Sequence, residues 1–271
     1  MKKSNKIIIG ALGVAVVTTL TIGFCQGKSV SETVGIGQDI TGNGIMATQT
    51  STVPMVRKLC VNGKFDVTII QGNTNTLVLT ADQNILPLLA VTTKHNELQL
   101  STKPDTSFSS ENPIKAVLTE SAVNDVMLNG KTSLHMAGIH ANAFILTMNK
   151  STSDIAGNIN NLQLELSGKT NVTADMDHAN SINLTASGKT NAHLAGTANN
   201  LVLVTAGNVM IDAKNLSATN ASITGMGRSD ITVRVANHLT VNSVGSSSIS
   251  YYGNPTVEKH SFGKSFVQQV G

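Results

Sequence analysis

Ser167-Gly168-Lys169-Thr170-Asn171 returns unchanged as Ser187-Gly188-Lys189-Thr190-Asn191. A close copy, Asn129-Gly130-Lys131-Thr132, stands upstream. Weaker copies are Asn149-Lys150-Ser151, Gly207-Asn208, Gly227-Arg228-Ser229, Gly245-Ser246-Ser247 and Gly263-Lys264-Ser265. The anchors at 130, 149, 168, 188, 207, 227, 245 and 263 are about 18 to 20 residues apart, and a fixed period of this size marks a repeat architecture.

Each repeat carries the same pattern around its anchor. Four residues after it come Leu134, Ser153, Val172, Ala192, Ile211, Ile231 and Ile249. Six after it come Met136, Ile155, Ala174, Leu194, Ala213, Val233 and Tyr251. A polar residue lies between, such as His135, Asp154, Thr173 or His193. Apolar positions flanking a polar one give the period of a half-buried strand. Before the anchor, Val126, Ile145, Leu164, Leu184, Leu203, Ile223 and Val241 begin a second apolar series. The coil therefore reads as strand, Gly-centred turn, strand, then a polar connection such as Asn158-Ile159-Asn160-Asn161. Stacked coils predict an all-β fold, a parallel β-helix or β-solenoid with coils of about 19 residues. A less regular β unit precedes them. Gly130, Gly168, Gly188, Gly207, Gly227 and Gly245 read as structural turns, because a tight corner often needs a positive φ. Asn149 stands in for Gly once, and Asn tolerates that conformation better than most residues.

The chain has 271 residues, 40% hydrophobic, 13% charged and 3% aromatic, with a net charge of +3. This suits a solenoid filled by Val, Leu, Ile and Ala. The charge is too mild to indicate nucleic acid, and no aromatic platform accompanies the lysines, which fall one at most turns.

Residues 1–25 combine Lys2, Lys3 and Lys6 with an apolar run from Ile7 to Phe24. They read as an export signal or a retained membrane anchor. Cys25 is a candidate for lipidation, although Phe24 before it fits that signal poorly. With cleavage after Cys25, Cys60 would be the one cysteine left, a small buried hydrophobe in Leu59-Cys60-Val61. Residues 26–47 read as a flexible linker, 48–112 as the irregular β unit, and 113–271 as the regular coils. Ile85-Leu86-Pro87-Leu88-Leu89 reads as a short helix or a buried crossover. Tyr251-Tyr252-Gly253-Asn254-Pro255 and the tail 262–270 are expected to help cap one end, and residues 53–103 the other.

Several segments together resemble a family of bacterial envelope proteins, the autotransporter-adhesin "head GIN" domain. They are Thr41-Gly42-Asn43-Gly44, Val61-Asn62-Gly63-Lys64-Phe65-Asp66-Val67-Thr68-Ile69-Ile70-Gln71-Gly72, Thr80-Ala81-Asp82-Gln83-Asn84, Pro113-Ile114-Lys115-Ala116-Val117-Leu118-Thr119 and Tyr251-Tyr252-Gly253-Asn254-Pro255. The resemblance covers nearly the whole exported chain, making 48–271 a single domain. It implies a β-helix-like fold and a cell-envelope location: periplasm, outer membrane or surface. It supplies no catalytic residues. One departure stands out. The family's repeated turn is usually Ser-Gly-Ser-Gly-Asp, whereas here it is Ser-Gly-Lys-Thr-Asn, which changes the charge of one rim.

Motifs of known chemistry are weak. Gly-Lys-Thr is no phosphate loop, because Asp125, Gln163 and Asn183 stand where its first Gly is needed, and strands follow instead of a helix. His135 and His193 share a column three coils apart, about 14 Å, too far for one metal ion. Asp175-Met176-Asp177-His178 is denser and open to weak cation binding. Asp154, Asp175, Asp212 and Asp230 fall on different coils and do not converge as a glycosidase pair must. No catalytic, cofactor or metal residues are assigned and no cofactor is expected. The expectation is an exported, non-enzymatic adhesin or envelope ligand-binding module for a glycan or protein. The alternatives are a carbohydrate-active β-helix enzyme and a self-associating structural partner of the envelope. The membrane is expected to be reached only through the N-terminal segment, and a homo-oligomer is open.

Overall fold

The computed structural model describes residues 40–270. The signal or anchor, Cys25 and most of the linker lie outside them. The first elements are β1 (Ile40–Thr41), β2 (Met46–Thr52), β3 (Lys58–Asn62), β4 (Asp66–Ile70), β5 (Thr76–Asp82), β6 (Leu89–Lys94), β7 (Glu97–Thr102), β8 (Phe108–Ser109) and β9 (Lys115–Thr119). Then come β10 (Asp125–Asn129), β11 (Ser133–Asn149), β12 (Thr152–Ser167), β13 (Lys169–Gly245), β14 (Ser248–Tyr252), β15 (Thr256–Gly263) and β16 (Phe266–Gln269). Residues 40–47, read from sequence as linker, thus supply β1 and the start of β2. Leu86–Leu88 is one turn of 3-10 helix, with Pro87 inside the first turn where its missing N–H costs nothing.

The long elements are not straight. β13 winds through successive coils, and the whole forms a β-solenoid of about eight turns. Two walls meet at the Gly corner. One carries the strands before the corner, and Leu59, Val126, Leu146, Leu164 and Leu184 stack there in parallel register. The other carries the strands after it, with Val67, Leu134, Ser153 and Val172 in one column. All nine of these residues are buried. Each large apolar side chain so buried contributes about 1.5 to 3 kcal/mol, and consecutive coils share one continuous core.

The first coil comes from the irregular part of the sequence. β3 and β4 flank Gly63 and pair residue for residue with β10 and β11. The chain then leaves the stack and returns at β10. What lies between closes the N-terminal end. β7 pairs parallel with β3, and β6 folds back antiparallel on β7. On the other wall β9 pairs with β4, then β5 and β2 follow antiparallel. The repetition ends where pairing changes hand. β9 still pairs parallel with β4, so the change comes between β9 and β5, as it does between β7 and β6 on the other wall.

The corner explains the repeated phrase. Gly188 has φ +79°, and a Cβ there would lie 2.8 Å from the Gly168 carbonyl oxygen, so both torsion and space demand Gly. The last residue of each corner turns inward. Thr132 Oγ1 donates to the Gly63 carbonyl at 3.1 Å and Ser151 Oγ to that of Gly130 at 2.9 Å. Further along, Thr170 and Thr190 pair with each other at 3.1 Å. Buried hydroxyls thus occupy the corner's lone pairs, which an apolar side chain would leave unsatisfied. One assignment needs correction. The corner of the second regular coil belongs to Lys150, at φ +58°, and not to Asn149. Asn149 is extended and pairs with Asn129 and Ser167. The corner there is one residue shorter than its neighbours, so alignment on Asn149 slips by one.

Cys60 is fully buried beside Met127 and is not a free thiol. The tail lies at the C-terminal end of the stack. β15 pairs with β13 and β16 with β14 in the same parallel register, making the tail the last coil. That coil is polarised on its inner side: Lys259 stands under Val241, and Gln269 under Tyr251 with its amide on the Gly253 carbonyl.

Candidate binding surface

The outward residues of the walls are held by the same register as the core, so they form columns. Amides pair from coil to coil along the rod. In the connections, Asn160 donates to Asn142 at 3.1 Å, Asn180 to Asn161 at 3.5 Å, Asn199 to Asn180 at 3.4 Å and Asn220 to Asn200 at 3.3 Å. On the two sides of the Gly corner, Asn149 donates to Asn129 at 3.1 Å before it and Asn191 to Asn171 at 2.9 Å after it. The Asn-rich connections of the sequence are thus partly spent on holding coils together, as stacked amides do in other parallel sheets. Each amide nitrogen carries a second N–H besides the one donated to the neighbouring coil.

The ionisable candidates separate in space. His135 lies 3.3 Å from Asp154 and 3.7 Å from Asp66 on one wall, with Asp66 half-buried and also accepting from Ser133 Oγ. His193 pairs with Asp212 at 3.9 Å further along the rod. Burial works against ionisation of Asp212. The N–H and ammonium of Lys214, with the His193 ring, outweigh it and hold the carboxyl below its usual range. Met176 is buried and Asp175, Asp177 and His178 are exposed, with His178 in contact with Thr197 Oγ1 at 3.2 Å. Asp154, Asp175, Asp212 and Asp230 sit on four different coils. Among the described residues no group of three or more His, Cys, Asp or Glu is placed to hold a metal ion.

The most enclosed carboxylate is one the sequence reading did not single out. Asp82 accepts from Ser110 Oγ at 2.7 Å and Asn112 Nδ2 at 2.6 Å. Two residues on, Asn84 donates to the Thr41 carbonyl at 2.8 Å and accepts from Asn43 N at 3.0 Å. A Cβ on Gly42 would fall 1.8 Å from Asp82 Oδ2. The Asn112 and Ser110 hydrogen bonds hold the Asp82 carboxyl below its usual range, overcoming desolvation. Every partner is in the protein, so this is a structural knot that ties Thr41-Gly42-Asn43-Gly44 to Thr80-Ala81-Asp82-Gln83-Asn84. A nearby open cleft is lined by Lys64, Thr102, Phe108, Ser110, Asn112 and Ile114 and holds no acid pair.

Residues 57–255 match the model of the family described as "Putative auto-transporter adhesin, head GIN domain". The chain belongs to the head GIN domain family. Solved structures of the same fold include two described as a "putative adhesin". The one from Parabacteroides merdae is 18% identical with a TM-score of 0.73, covering 86% of this chain and 99% of its own. The one from Parabacteroides distasonis is 20% identical with a TM-score of 0.74, covering 86% and 100%. A third, described as a "putative lipid binding protein" from Parabacteroides distasonis, is 18% identical with a TM-score of 0.73, covering 86% and 100%. No curated protein matches the chain. At this identity the structures speak for the fold, and head GIN membership rests on the family match.

Proposed function

We propose that this head GIN protein is an exported, non-enzymatic binding module of the cell envelope or surface that acts as an adhesin through its outer walls. One observation carries the reading. The regular coils present outward columns of Asn, Thr and Ser along a rod, while their acids lie on separate coils with no shared groove. A hydrolase or lyase needs two or more groups on one reacting centre, and here the acids are dispersed. Adhesion needs only a long, rigid, hydrogen-bonding surface. The adhesin-like family supports the same conclusion and an envelope or extracellular setting.

The test is twofold. The purified chain should bind one or more members of a panel of glycans, peptidoglycan and host-matrix proteins, and a strain lacking it should attach less. A blank panel together with unchanged attachment would overturn the reading. Release of reducing ends from any panel polysaccharide would replace it with the enzymatic one.

A further inference from the structure

The stacking of corners has a consequence for charge. Each corner lies on the one before it. Gly130 sits on Gly63, Gly168 beside Lys150, Gly188 on Gly168, and so on to Gly263 on Gly245. The residue that follows the corner glycine is exposed at the outer tip. In order these are Lys64, Lys131, Lys169, Lys189, Asn208, Arg228, Ser246 and Lys264, with Lys150 at the tip of the short corner. Seven of the chain's 19 lysines and arginines therefore stand in one line. The first five occupy consecutive coils. At about 4.8 Å per coil this unbroken run spans about 19 Å.

None of the seven takes part in an ion pair among the described residues; the lysines that do are Lys58 and Lys214. Like charges one coil apart repel by about 0.9 kcal/mol in water. A merely solvated ridge would gain from an acid between them. Instead the flanks of Lys131 through Lys189 are neutral: Asn129, Asn149, Ser167 and Ser187 on one side, Ser133, Thr152, Asn171 and Asn191 on the other. Asp66 and Asp230 flank the ridge only outside that stretch, and Asp66 is engaged by Ser133 and His135.

We propose that this ridge binds an extended anionic polysaccharide, with successive carboxylate or sulfate groups on successive lysines and the flanking amides and hydroxyls on the sugar hydroxyls. The proposal rests on the binding-module reading and gives it a ligand class. A straight line of cations at one-coil intervals matches a straight polymer with a charge on every sugar. A compact protein would meet only part of it. A lipid surface is the rival, because Met226, Val244, Phe262 and Phe266 are exposed near the far end of the ridge. There, however, the cations are interrupted by Asn208 and Ser246. The five-coil run has amides and hydroxyls beside it, the groups that meet sugars.

The test titrates the full chain with polygalacturonate, with neutral dextran, and with phosphatidylglycerol vesicles, at low and at high salt. Polygalacturonate should bind and weaken with salt, and dextran should not compete. The triple change Lys131→Gln, Lys169→Gln, Lys189→Gln should weaken polygalacturonate binding about tenfold, three exposed contacts of about 0.5 kcal/mol each. Lys94→Gln, Lys103→Gln, Lys115→Gln removes the same charge elsewhere and should leave binding within about twofold. Equal losses in the two triples would reduce the effect to net charge and overturn the proposal. Binding to vesicles and not to polygalacturonate would overturn it in favour of a lipid. Should the ridge triple lose nothing while the chain still binds the broader panel, the ridge proposal fails and the adhesin reading stands.

Discussion

Ser151 and Ser153 lie two residues apart, both buried, and the same substitution should move stability in opposite directions. Ser151 Oγ lies 2.9 Å from the Gly130 carbonyl oxygen and 3.2 Å from that of Asn149. Ser153 stands between Leu134 and Val172 in an apolar column, 1% exposed, and its hydroxyl has no hydrogen-bond partner. Ser151→Ala removes a made hydrogen bond and leaves carbonyls less satisfied, at a cost of about 1 kcal/mol. Ser153→Ala removes a buried hydroxyl whose desolvation is uncompensated. That group costs about 1 to 3 kcal/mol as it stands, and the small void left by one oxygen returns part of the gain, so stabilisation of about 1 kcal/mol is expected. Over a domain of this size the two should differ by about 4 to 8 °C in Tm. Equilibrium unfolding in urea reads the same quantity, provided the m-value is unchanged. If Ser153→Ala is destabilising by as much as Ser151→Ala, the hydroxyl has a partner in solution and the reasoning about this column is wrong.

Two further outcomes are expected. Asp82 has a depressed carboxyl pKa, so its contribution is present above the unfolded carboxylate value and is lost as pH falls through the folded one. Acidification should therefore raise hydrogen exchange in residues 40–45 and 107–112 before the coils, and Asp82→Asn should show that exchange at neutral pH; uniform exchange along the chain would contradict the knot. Lys259 places a charge on the inner side of the last coil, a recognised guard against edge pairing. Lys259→Leu should sediment as larger species with rising concentration while the unaltered chain stays monomeric, and a variant that remains monomeric would show that something else protects this end.

The coil was legible because every corner meets the same steric problem and solves it with the same residues. Gly188 and the inward Thr190 recur as a phrase since a positive φ and an orphaned carbonyl recur with them. Lys150 was misread because its corner is one residue shorter, and counting from Asn149 concealed the slip. Asp66 beside His135 could not be read from the periodic region alone. Their coils are adjacent in space, but the closing sheet of β5 to β9 is inserted between them in sequence. The signal was present, since Asp66 stands three residues after Gly63 as Ser133 does after Gly130. The ridge was half visible. Its lysines fall one at most turns of the sequence, but only stacking of the corners turns scattered charges into a line. Asp82 was hidden because its partners, Gly42, Ser110 and Asn112, come from loops with no period.

The identity of Ser167–Asn171 with Ser187–Asn191 has a bearing on how such a rod changes length over generations. Excising residues 169–188 would rejoin the same five-residue phrase without a scar. Leu164 and Leu203 would then become neighbours in one column, and each edge would meet a hydrogen-bonding edge of the same kind. Loss or duplication of one coil at this phrase would give a sound shorter or longer rod. The length of the rod can therefore vary in steps of one coil, about 4.8 Å, while its corners, core and surface chemistry stay as they are.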